Sequence, residues 1–235
     1  MMKRVLTVLF ILALSSQTFA QELHIPSFSF SKKKPVYITL ADGTEIEGTI
    51  KDLDYQKGII KKIKIEGLDG KNVKMKPENI KCMYLPQSGL DKFSKAMSVA
   101  DDATKWKSAK LDATRLKKGY VYSEMSKVMM GKKEKELIFQ LLNVSFSDKA
   151  KIYYDPFAKE TMSVGVGGMT LAGGDAKSYY FKKGDEPAYK LDKKTYKKEF
   201  AQIWSDCPAL IAKYGEDPKW TDFAKHVFEY TNDCE

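Results

Sequence analysis

Residues 38–50 read ITLADGTEIEGTI (Ile38–Ile50), and the fold class turns on this stretch. Ile38 and Leu40 alternate with Thr39. Ala41-Asp42-Gly43 follows as a turn, and then Ile46, Gly48 and Ile50 alternate with Glu45, Glu47 and Thr49. A period of two on both sides of an Asp-Gly turn is the pattern of two antiparallel strands with one buried face. One step upstream, Val36 joins the face of Ile38 and Leu40 while Tyr37 points the other way.

Downstream, Tyr55-Gln56-Lys57-Gly58 is the next connection. Ile63 and Ile65 then alternate with lysines, Asp69-Gly70 turns the chain, and Val73 and Met75 continue the period. A last short strand runs from Ile80 to Leu85 and stops at Pro86. Five short strands joined by tight turns over residues 35–86 resemble an SH3-like or Sm-like small barrel, in which a bent second strand carries a glycine such as Gly48. The resemblance implies a compact module and does not choose a function. Residues 21–34 are polar and irregular and read as a mobile lead-in.

Gln87-Ser88-Gly89 breaks the pattern. Leu90, Phe93, Met97 and Ala100 then keep helical spacing, which predicts a linking helix within residues 87–118. From Gly119 strands return, with candidates at 120–130, 135–143, 149–154, 161–166, 177–183 and 188–191 and a hairpin tip at Lys182–Pro187. The C-terminus then turns helical. Tyr196, Phe200 and Ile203 share a face, and Asp206 is placed to cap a short helix that begins with Pro208 and ends near Gly215. Trp220, Phe223, Val227 and Tyr230 form the apolar face of a last helix. The expected architecture is α+β: a small barrel, a linking helix region, and an antiparallel β domain at 119–235 closed by helices. LLNVSFSDKAKIYYDPFAKETMSVGVGG, KSYYFKKG, the Asp206-Cys207-Pro208 step and the Tyr230–Cys234 ending resemble exported proteins of unknown function from Gram-negative bacteria. That resemblance implies export and carries no activity.

The N-terminus agrees with export. Met1-Met2-Lys3-Arg4 precedes ten nearly all apolar residues, Val5–Leu14, and a small-residue exit up to Ala20. This is the layout of a cleaved signal peptide, and ten residues span about 15 Å, too short for a permanent anchor. Cleavage after Ala20 leaves 215 residues, and losing Lys3 and Arg4 lowers the net charge from +9 to +7. A periplasmic or secreted location permits disulfides. Of three formal single pairings, Cys207–Cys234 in the helical C-terminus is the expected bridge, with Cys82 a buried free thiol.

The familiar chemistries are missing. Three cysteines and two histidines, His24 and His226, exclude a zinc-finger array, and nothing calls for a metal or another cofactor. Gly168 and Gly173 have phosphate-loop spacing, but Gly174-Asp175 stands where Lys-Ser/Thr is needed. The glycine-rich run reads instead as a hairpin or a close strand contact. There is no Gly-x-Ser-x-Gly or His-Glu-x-x-His, and Asp101 and Asp102 diverge on a helix. Asn143-Val144-Ser145 matches the glycosylation triplet in a strand context that does not suit it. The mature chain would carry 37 lysines and one arginine, Arg115, interspersed with carboxylates. That is a solvated surface rather than a nucleic-acid track. Tyr153-Tyr154 and Tyr179-Tyr180-Phe181 offer rings for sugar stacking, about half of which should face the core. No catalytic residues are assigned. The reading favours a non-catalytic binding or assembly module whose partner is an envelope protein, a polysaccharide or a second copy of itself. The alternative is a carboxylate-dependent hydrolase acting on an envelope or extracellular polymer.

Overall fold

The computed structural model describes residues 23–56, 58–89, 111–158, 165–166, 169–170 and 176–234. The signal-like segment, the face Leu90–Ala100 and the Asp101-Asp102 pair lie outside the described residues.

Seven strands make one antiparallel sheet: β1 (Pro35–Leu40), β2 (Glu45–Gln56), β3 (Ile59–Gly67), β4 (Asn72–Met75), β5 (Ile80–Pro86), β6 (Tyr120–Met130) and β7 (Lys133–Gln140). Their spatial order is β4-β3-β2-β1-β5-β6-β7. The expected closed barrel is therefore not formed. β5 pairs with β1 on one side and with β6 on the other, setting Cys82 opposite Glu124 and Leu85 opposite Val121. The physical reason lies in β5 itself. Met83 and Leu85 enter one apolar cluster with Val36, Ile38 and Ile65, while Tyr84 enters another with Tyr122. A strand apolar on both faces sits inside a layered sheet rather than at an edge.

The sheet bends instead of closing. β2 shifts register after Ile50 and again after Asp54. At Gly48 a Cβ would lie 2.3 Å from the Glu66 carbonyl oxygen, so only glycine admits this close approach of β3. The bend brings β7 against β3 across the inner face, where Ile138 packs with Ile60 and Ile63. No ladder joins β7 to β3 among the described residues.

A second sheet is built from β8 (Ala150–Tyr154), β11 (Ser178–Lys183) and β12 (Tyr189–Asp192), in the order β12-β11-β8. Between β8 and β11, β9 (Gly165–Val166) pairs antiparallel with β10 (Met169–Thr170); the rest of the expected strand at 161–166, with Gly168 and Gly173, lies outside the described residues. Two bridges stitch the sheets together, Leu141 to Tyr153 and Val128 to Ala188. The helices are α1 (Ala113–Lys117), α2 (Tyr196–Ile203), α3 (Pro208–Tyr214) and α4 (Phe223–Asp233).

Strand alternation sorts the core into layers. Tyr153 and Tyr180 face the large sheet and pack with Phe139 and Val128. Ile152 and Phe181 face the opposite way, into a cluster with Tyr196, Phe200, Trp204, Phe223 and Val227 from the helices. The helical apolar faces expected from the sequence thus close over the smaller sheet. Cys207 and Cys234 are bridged, with Cα atoms 5.5 Å apart, tying the start of α3 to the end of α4. Cys82 is a free thiol, but half-buried rather than buried.

Asp206 does not cap α3. Cys207 holds the cap position without a side-chain hydrogen bond, and Asp206 instead accepts from Lys183 Nζ at 2.6 Å and Tyr230 OH at 2.7 Å. The lead-in also departs from expectation, because backbone bonds hold it. His24 N–H donates to the Leu142 carbonyl, Ser31 N–H to that of Pro86, and Phe30 bridges Gln87.

Candidate binding surface

The lead-in crosses the large sheet and makes one wall of an apolar cleft. Ser27 positions it. Its N–H donates to Gln140 Oε1 at 2.8 Å, and its hydroxyl accepts from Gln87 Nε2 at 2.9 Å. Gln140 Nε2 returns a longer bond to the Ser27 carbonyl at 3.4 Å. Phe28 and Phe30 line the cleft with Ile60 from β3, Ile138 and Phe139 from β7, and Tyr154 from β8.

Two backbone devices shape the far rim. Gly58, at the β2–β3 turn, has φ +75°, and a Cβ there would stand 2.6 Å from Pro156 Cβ. Both the left-handed conformation and the contact demand glycine. Asp155 forms the adjoining turn. Its buried carboxylate accepts from Phe157 N–H at 2.8 Å and from the Ser178 hydroxyl at 2.7 Å, and Lys190 Nζ lies 3.3 Å away. This turn presents Phe157 to solvent. Phe28 is 60% exposed although its ring meets Tyr154 edge-on with centroids 5.2 Å apart, and Ile25 and Tyr55 are also exposed. Of these, Phe28 and Tyr55 line the cleft and form an exposed aromatic rim on an otherwise lysine-rich surface.

A second, wider groove lies between the β11–β12 hairpin and the helices. Lys183 Nζ spans it, donating to the Ile203 carbonyl at 2.8 Å and to Asp206, 4.7 Å above the Tyr230 ring. Burial opposes the Asp206 charge, but the bonds from Lys183 and Tyr230 outweigh it and hold that carboxyl below its ordinary value. Burial first, then the charges of Glu199 and Glu186, push the Tyr189 phenol up to about 12. The groove therefore gathers carboxylates around a tyrosine but opens broadly to water.

The remaining sequence candidates are structural. His226 is fully buried, with Nδ1 2.7 Å from the Tyr196 hydroxyl. The Asn143 side chain is also fully buried, donating to the Phe146 and Ala150 carbonyls and accepting from Ile152 N–H, so the glycosylation triplet is packed away. Tyr153, Tyr180 and Phe181 are core, and Tyr179 stacks on Trp220 and Phe223. Of the proposed sugar-stacking rings, Tyr154 is the one that reaches the cleft. Cys82 lies across from Glu124, whose carboxylate accepts from Lys151 at 2.6 Å, Tyr153 at 2.5 Å and Tyr122 at 3.1 Å. No group of side chains suited to a metal ion occurs among the described residues.

The cleft is not legible in the sequence because its walls come from six separate segments. One signal was available: Ser27-Phe28-Ser29-Phe30 alternates with period two, the mark of a strand-like segment with one apolar side. Compared with protein-family models, with curated proteins and with solved structures, the chain matches none.

Proposed function

We propose that the chain is an exported, non-catalytic binding or assembly module of the periplasm or cell envelope. The observation that carries this reading is the exposed aromatic rim around the Phe28–Tyr154 cleft. A single chain gains nothing in stability by leaving Phe28 largely in water, whereas a docking partner would bury it. The Cys207–Cys234 bridge suits an oxidising compartment, and the N-terminal charge and apolar run suit export.

The experiment places a photo-activated cross-linker at position 28 in intact cells, with the exposed Lys198 as control site. A defined adduct from position 28 and none from 198 is expected. No adduct, or equal yields from both, would end the reading. The gathering of Glu186 and Glu199 around Tyr189 favours one alternative, a hydrolase of an envelope or extracellular polymer. Polymer cleavage lost in Glu199→Gln would shift the assignment to it.

A further inference from the structure

We infer that the partner segment is an acidic peptide carrying one aromatic or aliphatic side chain, which covers the exposed Phe28 ring at the mouth of the cleft while its carboxylates meet Lys32, Lys33 and Lys34. This rests on the binding-module reading and names the chemistry of its partner.

The cleft's own chemistry selects the apolar part. Two of its polar lining residues are already engaged: the Ser27 N–H and carbonyl bond Gln140, and the Ser27 hydroxyl accepts from Gln87. A polar group entering between Phe28, Phe30, Ile60 and Ile138 would lose its water and find those partners taken. An apolar side chain loses nothing of this kind and covers the exposed ring of Phe28.

The next residues of the same segment select the charge. Lys32, Lys33 and Lys34 are exposed and begin two residues beyond Phe30, within about 7–14 Å of it along the chain. They are held in place, because the Ser31 hydroxyl accepts from Lys33 N–H at 3.2 Å and Lys34 N–H at 3.3 Å, and Ser31 N–H is bonded to the Pro86 carbonyl. None of the three ammonium groups pairs with a carboxylate among the described residues. Elsewhere in the same half Lys51, Lys62, Lys71 and Lys76 each pair with an acidic neighbour, whereas Lys61, Lys64, Lys74 and Lys81 do not among the described residues; what sets Lys32–Lys34 apart is that three such charges fall together beside the cleft. An ordered, uncompensated triplet beside an apolar cleft is complementary to an anionic segment and would speed its encounter. The cleft holds about 40 Å³, so the partner's apolar side chain seats at its mouth against Phe28 rather than filling it.

The test uses the full mature protein and a labelled peptide with a central phenylalanine between two runs of three aspartates, followed by fluorescence anisotropy. Peptides with alanine at the centre or lysine flanks, and vesicles of phosphatidylglycerol, are run beside it. Binding of the acidic phenylalanine peptide is expected, with at least tenfold weaker binding for the alanine peptide and none for the lysine peptide. Lys32→Glu, Lys33→Glu and Lys34→Glu combined should weaken binding at least tenfold while leaving the melting temperature unchanged. Phe28→Ser should do the same without altering the salt dependence. Absence of binding, indifference to the triple change, or binding to the vesicles alone would overturn the inference. If the position-28 cross-linker yields its adduct but the acidic peptide does not bind, the partner chemistry is wrong and the binding-module reading survives.

Discussion

Acid should loosen the helical layer of this protein through one side chain, His226. The ring lies on α4, fully buried, between Phe200 on α2 and Tyr214 on α3, with centroids 5.2 and 4.4 Å away. Its Nδ1 meets the Tyr196 hydroxyl, and its Nε2 has no hydrogen-bond partner among the described residues. Burial disfavours the imidazolium and lowers the pKa from 6.5 to about 4. Asp222 and Glu229 pull it up, and Lys225 and Lys213 push it further down. The folded pKa lies below the unfolded one, so the folded state prefers the neutral ring. The associated stability is complete above pH 6.5 and is lost as pH falls toward 4.

Lowering from 6.5 to about 4, at about 1.36 kcal/mol per pH unit, gives about 3 kcal/mol in total, most of it gone by about pH 4.5. That is a large share of the ~5–15 kcal/mol by which a domain is stable. The assay is urea unfolding, followed by the fluorescence of Trp204 and Trp220 in the same cluster, at pH 7.5, 6, 5 and 4.5. The comparison is with His226→Gln, whose amide still accepts from Tyr196 but does not titrate. Carboxylates titrate alike in both proteins, so the difference in pH slope isolates the histidine. The wild type should lose about 2–3 kcal/mol more than the variant between pH 7.5 and 4.5. Parallel slopes would refute the burial argument.

Reducing the Cys207–Cys234 bridge, or replacing both cysteines by serine, should cost about 3.5 kcal/mol in the chain-entropy model for a separation of 27 residues. An unchanged urea midpoint would count against it. Gly48→Ala should destabilise by about 1–3 kcal/mol through the clash with the Glu66 carbonyl, read as a lower melting temperature with amide shifts confined to β2 and β3. Asn143→Ala should cost about 2–4 kcal/mol, because it strands the buried Ile152 N–H and the Ala150 carbonyl and leaves the Phe146 carbonyl only its long bond from Thr231. Retention of wild-type stability would mean that water replaces the amide.

Local pattern was legible wherever one element faced one environment. β6 runs over Tyr120–Met130 as its spacing predicts, and Trp220, Phe223, Val227 and Tyr230 are all buried. What alternation cannot reveal is which strand lies beside which. Val36 and Tyr37 differ in face, but both are packed, one inside the curled sheet and the other toward α1, where the Arg115 guanidinium lies 3.8 Å from the Tyr37 ring centre. The ladder from β5 to β6 joins strands separated by more than thirty residues, and no local period encodes it. Asp206 fails as a cap for the same reason. Its local position suits a cap, but Lys183 and Tyr230 arrive from distant elements and take both carboxylate oxygens.

The layering also couples the helical cluster to the cleft, which yields the last prediction. Tyr154 packs against the helical cluster and lines the cleft, and Phe28 rests on its ring. Lys149, at the start of the same segment, bonds the carbonyl of the bridged Cys234. Loosening α4 by reduction or by acid should therefore free β8 and tilt the Tyr154 wall before the large sheet melts, because Ile38, Ile63 and Met83 belong to a separate cluster. Hydrogen exchange on the reduced protein should show lost protection in α4 and β8 with β1 and β3 still protected. Affinity for the acidic phenylalanine peptide should fall in step with β8 rather than with β1. Uniform loss of protection across both sheets would show that the layers unfold as one unit and that the wall has no independent freedom.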